Sequence, residues 1–231
     1  MGCTVNTIQD KWPDEFIGLM ADGMRIGQFI RFTCFLENHL VGDPTFHFVP
    51  NGSLKDMNVN EAIVLKEGDV EFWKEQLNSP SADMQAMALR QLSMANYKGI
   101  TELLEKSYFD SDKFVVRLEA LRLLVLNYPT QSVNVIKAAM NDSYELIRRY
   151  AVEYATLNAA PEILPAWVET YLKRGHEKRL RFKVVSLGRL DAFPYADTKA
   201  EIEKQVAQMN LYDRTHVDAI LSALVRQEKG M

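Results

Sequence analysis

The chain has 231 residues, 47% hydrophobic and 25% charged, with a formal net charge of −4. This is ordinary globular composition, enough for one or two domains, and it excludes a disordered or fibrous chain. The acidic balance argues against a dedicated nucleic-acid binder, which carries a basic excess. Two cysteines, Cys3 and Cys34, exclude a disulfide framework or a four-cysteine zinc site.

No run approaches the roughly 20 apolar residues that span a bilayer. Residues Met1 to Asn6 lack a basic stretch leading into an apolar one, so no signal peptide is visible and the cytoplasm is the expected compartment. An extracellular or periplasmic location is expected instead if the chain is a fragment of a secreted peptidase-like protein.

The first sixty residues follow no helical repeat. Phe16 to Phe35 is apolar but interrupted by Gly18, Gly23 and Gly27. Gly42-Asp43-Pro44 signals a turn, and Thr45 to Val49 reads as a short strand with Phe46 and Phe48 on one face. A mixed α/β segment over 1–60 is therefore expected, followed by a repeat domain over 61–231.

From there the apolar spacing predicts helices. Val70, Phe72, Trp73 and Leu77 mark one that pairs with a helix around Met84. Tyr97 to Ser107 precedes a helix from Phe114 to Leu126, stopped by Tyr128-Pro129. A helix over 130–139 precedes one from Tyr144 to Leu157. One starting at Pro161 and ending near Gly175 precedes another from Lys178 to Leu190. An amphipathic stretch from Thr198 to Met209 leads to a last helix from Thr215 to Arg226. The count is about five helix pairs.

Four of these helices repeat one pattern: apolar, Arg or Gln, two variable residues, small, apolar. The second position is Gln85, Arg117, Arg148 and Arg181, at steps of 32, 31 and 33 residues. A fixed period in this range marks stacked supersecondary units, each burying its apolar face on its neighbours. Val116, Ala120, Leu121 and Leu124 share one helix face, as do Ile147, Ala151, Val152 and Ala155; these are the predicted core. Burial by neighbours alone predicts that 61–231 folds without 1–60.

This pattern resembles the HEAT-repeat family over residues 68–226, in particular the short units with a Val-Arg-x-x-Ala-Ala-x-x-Leu signature. The resemblance implies a mainly α fold, a right-handed α-solenoid. Asp142 and Arg148 match that family's Asp-to-Arg ladder spacing of six residues, while Ser111 precedes Arg117 and Gly175 precedes Arg181. These arginines are expected to bond local loop groups.

In the N-terminal part, Met24 to Arg31 together with Leu40 to Phe46 resembles the end of a gingipain-type cysteine peptidase domain. There an Ile-Gly-x-x-Phe/Ala helix leads through a Leu-x-Gly-Asp-Pro-x-Leu turn into a strand. Gly2-Cys3-Thr4 is similar to that family's cysteine box. The family's histidine and parallel sheet belong upstream of that cysteine, whereas His39 and His47 lie downstream. The resemblance thus implies the tail of an upstream α/β domain in a longer protein, or a degenerate relative, and with those parts of the mechanism missing no peptidase activity is expected.

His39, His47, His176 and His216 show no metal-ligand spacing, and no glycine-rich phosphate loop is present, so no metal and no cofactor is expected. In the HEAT arrangement the patterned helices line the concave face, and template positions between the buried ones point outward. They carry Arg90, Glu119, Arg122, Arg149, Tyr150, Glu153, Phe182 and Lys183. Arg and aromatic residues together suit a protein or peptide partner, so Arg90, Arg122, Arg149, Tyr150, Phe182 and Lys183 are the predicted binding patch. A basic run, Lys173, Arg174, Lys178, Arg179 and Arg181, is a secondary candidate for phosphate or an acidic peptide, or an ordinary solvated surface.

The expected function is a non-enzymatic protein-interaction scaffold. The alternatives are an accessory module of a caspase-like peptidase and a HEAT-like DNA alkylation-repair glycosylase. The glycosylase needs a basic, aromatic inner face. The acidic charge counts against it, as does the placement of Trp12, Trp73 and Trp167 off the patterned helices.

Overall fold

A computed structural model describes residues 2–3, 16–32, 38–50, 54, 56–173 and 189–210. They are mainly helical. The helices are α1 (Ile17–Ala21), α2 (Ile26–Phe29), α3 (Val59–Leu65), α4 (Val70–Gln76), α5 (Ala82–Met94), α6 (Ile100–Asp110), α7 (Phe114–Asn127), α8 (Val133–Ala139), α9 (Glu145–Asn158), α10 (Leu164–Lys173) and α11 (Tyr195–Gln208). Two residue pairs form a short antiparallel ladder, β1 (Gly2–Cys3) with β2 (Asn38–His39), in the register Gly2 to His39 and Cys3 to Asn38. The helices predicted over 178–190 and 215–226 lie outside the described residues.

Local chemistry sets the helix starts. Asn58, Asp69 and Ser81 each accept the backbone N–H three residues on, from Glu61, Phe72 and Met84, and so satisfy donors that α3, α4 and α5 leave open. Gly99, at φ 87°, supplies the left-handed residue ahead of α6. After α9 the chain turns through Ala159, also left-handed, and Pro161 opens a 3-10 turn into α10.

Packing divides the chain into two compact units, Met1–Ala120 and Leu121–Met231, and the division falls inside α7. It does not fall near residue 60, where the sequence pattern changes. In the first unit α4 packs along α5, and α1 packs on α5 as well as on α2. Phe16, Leu19, Met24 and Phe29 of the N-terminal segment are fully buried, as are Trp73, Met84, Met87, Leu89 and Leu92. Ser81 donates to the Asp22 carboxylate at 3.0 Å, tying the α1 end to the start of α5. In the second unit α8 packs on α9, and α10 on α9 and α11, around Ile136, Ile147, Val152, Trp167, Val168 and Leu172.

All eight predicted core residues of α7 and α9 are buried. The predicted strand over 45–49 is not formed; residues 46–50 run as irregular chain. The carbonyls of Pro44 and Phe46 are instead bonded by the N–H groups of Gly27 and Ile26, at 2.9 and 3.0 Å. These are first-turn donors of α2 that have no partner within the helix, so the loop serves as its cap. Phe46 and Phe48 do share a face: their rings meet edge-to-face at 5.4 Å, both half exposed.

Candidate functional site

Three of the six described positions in the predicted outward-facing row, Arg90, Glu119 and Arg149, are largely covered. Glu119 has no solvent exposure, and its carboxylate is held by Arg90: Nε donates to Oε1 at 2.7 Å and Nη2 to Oε2 at 2.9 Å. Only 12% of the Arg90 side chain is exposed. Its guanidinium lies 4.4 Å from the centre of the Phe16 ring and 5.8 Å from that of Phe32, and the two rings meet edge-to-face at 5.4 Å. The forked geometry and the aromatic faces are what a partly dehydrated arginine needs. Arg90 is thus a packing residue under the N-terminal segment and not part of an open patch.

Arg149, predicted as exposed, is also buried, with its Nε 2.9 Å from Glu145 Oε1 one helical turn earlier. Arg122 and Tyr150 are partly exposed, and the Tyr150 ring lies 5.7 Å from that of Tyr154. Neither Arg122 nor Arg149 is a free cation. Phe182 and Lys183 lie outside the described residues, as do Arg174, Lys178, Arg179 and Arg181 of the basic run; Lys173 closes α10. Of the predicted patch, Arg122 and Tyr150 remain as partly open positions.

The repeated Arg or Gln has a consistent local role. Gln85 Nε2 donates to the carbonyl of Ser79 at 2.6 Å, Arg117 Nη1 to that of Ser111 at 3.1 Å, and Arg148 Nη1 to that of Asp142 at 2.8 Å. Each acceptor stands six residues earlier. Each of these three residues also uses its side-chain oxygen to accept the N–H two residues on, from Ser81, Lys113 and Tyr144. Each loop is therefore fixed twice, once by its own side chain and once by the helix that follows. Because the acceptor is a backbone carbonyl, Ser serves as well as Asp at Ser79 and Ser111; Gly175, before Arg181, lies outside the described residues.

A cleft that sequence reasoning missed lies in the first unit. Its volume is about 480 Å³, and its walls are the turn at Pro44 and Thr45, the start of α2 at Arg25, Gly27 and Gln28, and the α3 face carrying Glu61, Val64 and Leu65. Hydrogen bonds preform all three walls. Asp43 Oδ1 accepts from the Thr45 hydroxyl at 2.6 Å and from its N–H at 2.8 Å, which holds the Asp43 carboxyl below its ordinary range. Asn60 Oδ1 accepts from the Arg25 N–H at 2.7 Å, and Asn60 Nδ2 donates to the Gly23 carbonyl at 3.0 Å, fixing residues 23–25 to α3.

Gly27 is required for this approach. A Cβ there would stand 2.8 Å from the Pro44 carbonyl oxygen. Val64 and Leu65 are 52% and 73% exposed. The Arg25 side chain is exposed and has no partner among the described residues. The signals available in the sequence were Gly27 beside the Asp-Pro turn and an adjacent Val-Leu pair at the end of a short helix.

Among the described residues no three His, Cys, Asp or Glu side chains converge as a metal site. No described helix is long and apolar enough to cross a membrane. Neither a family model, nor a curated protein, nor a solved structure matches this chain.

Proposed function

We propose that the protein is a non-enzymatic interaction scaffold, built of HEAT-like helix pairs stacked as a right-handed α-solenoid, that binds a protein or peptide partner. The observation carrying this reading is the doubly fixed loop at Ser79, Ser111 and Asp142. Three successive loops built to one plan are what a chain of equivalent stacked units uses to keep each helix pair at the same angle. The geometry rewards rigidity and regular spacing, which serve an extended recognition surface. On this reading the partner meets the patterned helices where they stay open, at Arg122 and Tyr150, while Arg90, Glu119 and Arg149 stiffen the same helices from within.

The test is a photo-reactive amino acid placed at position 150, at 122 and, as control, at the exposed loop residue Lys98, followed by irradiation of the native cell. Adducts of one defined mass at 150 and 122 but not at 98 are expected. Adducts equal at all three positions, or none at 150 and 122, overturn the assignment of the partner face.

A further inference from the structure

The cleft of the first unit is bounded by features that specify a ligand. Arg25 is among its lining residues, with a side chain that is exposed and without a partner among the described residues. The α3 wall carries the adjacent apolar pair Val64 and Leu65, open to solvent. Water-exposed aliphatic side chains in one cleft with a cation that no carboxylate bonds favour a ligand with a carboxylate next to an apolar group. Glu61, one turn before Leu65 on the same wall, repels a carboxylate, which leaves Arg25 as the lining residue that attracts one.

The volume lies within the range of ligand clefts and is that of a few side chains, not of a helix. The walls are fixed by the Asp43–Thr45, Asn60–Arg25 and Gly27–Pro44 hydrogen bonds, so binding requires little ordering of the protein.

We propose that the cleft between the Pro44–Thr45 turn, α2 and α3 docks a short extended peptide carrying an acidic residue next to a large apolar one. The carboxylate pairs with Arg25 and the apolar side chain lies on Val64 and Leu65. This deepens the scaffold reading by naming a partner chemistry. It rests on the chain being a protein-binding module, but not on how the helix pairs stack.

The experiment uses the full chain, isotopically labelled, titrated with three blocked synthetic peptides while amide resonances are followed. They are Gly-Glu-Leu-Glu-Gly, its Lys-for-Glu counterpart and its Ala-for-Leu counterpart. Gly-Glu-Leu-Glu-Gly is expected to shift the amides of Arg25, Gln28, Val64 and Leu65, and each counterpart to bind about tenfold more weakly. Arg25→Glu, at an exposed position that leaves the fold unchanged, is expected to reverse the order of the Glu and Lys peptides.

Equal binding of the Glu and Lys peptides, an unaltered order in Arg25→Glu, or shifts confined to other residues overturns the proposal. Shifts that follow protein concentration alone would assign the cleft to a second copy. Shifts produced only by phosphatidylglycerol vesicles would assign it to a lipid surface. Either result also overturns the peptide assignment. Loss of peptide binding with the position 150 adducts retained would refute this site while leaving the scaffold reading standing.

Discussion

Replacing Glu119 by Gln removes the negative charge from a side chain with no solvent exposure and leaves the Arg90 guanidinium in place above Phe16. Breaking one partner out of a buried pair costs about 3–5 kcal/mol, because the remaining charge has lost its compensation without regaining water. The Gln amide oxygen still accepts one of the two Arg90 hydrogen bonds, and 12% of the Arg90 side chain reaches solvent. Both facts place the expected loss near the lower end, about 3 kcal/mol. Removing both charges, with Arg90→Met and Glu119→Leu together, should cost less than either single change. The double change abolishes both desolvation penalties and forfeits mainly the contact with Phe16, worth about 0.5–2 kcal/mol.

The chain divides into two units, so a single denaturation curve mixes their transitions. Hydrogen exchange of the α5 amides reports the first unit directly. In Glu119→Gln those amides should exchange about a hundredfold faster under native conditions, since each 1.4 kcal/mol is a factor of ten. Rates within fivefold of the parent would refute the view that Arg90 and Glu119 form a buried, mutually dependent pair. So would a double variant less stable than both single ones.

Three further outcomes are expected. Arg148→Ala should remove the bonds to the Asp142 and Ser143 carbonyls and cost about 1.5–3 kcal/mol, with faster amide exchange at Tyr144; Arg148→Lys should recover only part of it. A fragment of residues 61–231 should keep helical circular dichroism but lose protection of α5. Four side chains buried against the first unit, Phe16, Leu19, Met24 and Phe29, are each worth about 1.5–3 kcal/mol; unchanged α5 protection would show that the N-terminal segment is dispensable. The Asp43 carboxyl should titrate below its ordinary value of 3.8 because Thr45 bonds its charged form. A depressed native value contributes stability above the unfolded value that is lost as pH falls through the native one. Thr45→Val should raise the Asp43 midpoint in a carbon-detected titration.

The helical core was legible because it depends on one period. Spacing by three and four residues places Val116, Ala120, Leu121 and Leu124 on one face whatever lies around them, and all four are buried. The strand over 45–49 was misread for a related reason. Alternating Phe46 and Phe48 fit a period of two, but a strand also needs a neighbour to accept its hydrogen bonds. Here α2 had first claim on the Pro44 and Phe46 carbonyls. Nothing local to residues 44–48 reveals that α2 begins opposite them; that knowledge is tertiary.

The surface was less legible because a side chain's position on a helix does not determine whether something covers it. Glu119 lies on the expected outer side of its helix and yet has no exposure, since Arg90 reaches it across 29 residues and Phe16 and Phe32 close over Arg90. The two arginine classes also look alike in sequence. Arg117 and Arg148 bond loop carbonyls, Arg90 and Arg149 pair with carboxylates, and Arg25 is exposed with no such partner among the described residues. A buried cation must be compensated, whereas one in water carries no such requirement. Arginines that recur with the fold's period therefore serve the fold first, and Arg25, outside that period, is the better guide to a ligand. That inverts the ranking composition alone suggests, in which the row of arginines on the patterned helices comes first. It makes the charge reversal at Arg25 a sharper probe of binding than any substitution within that row.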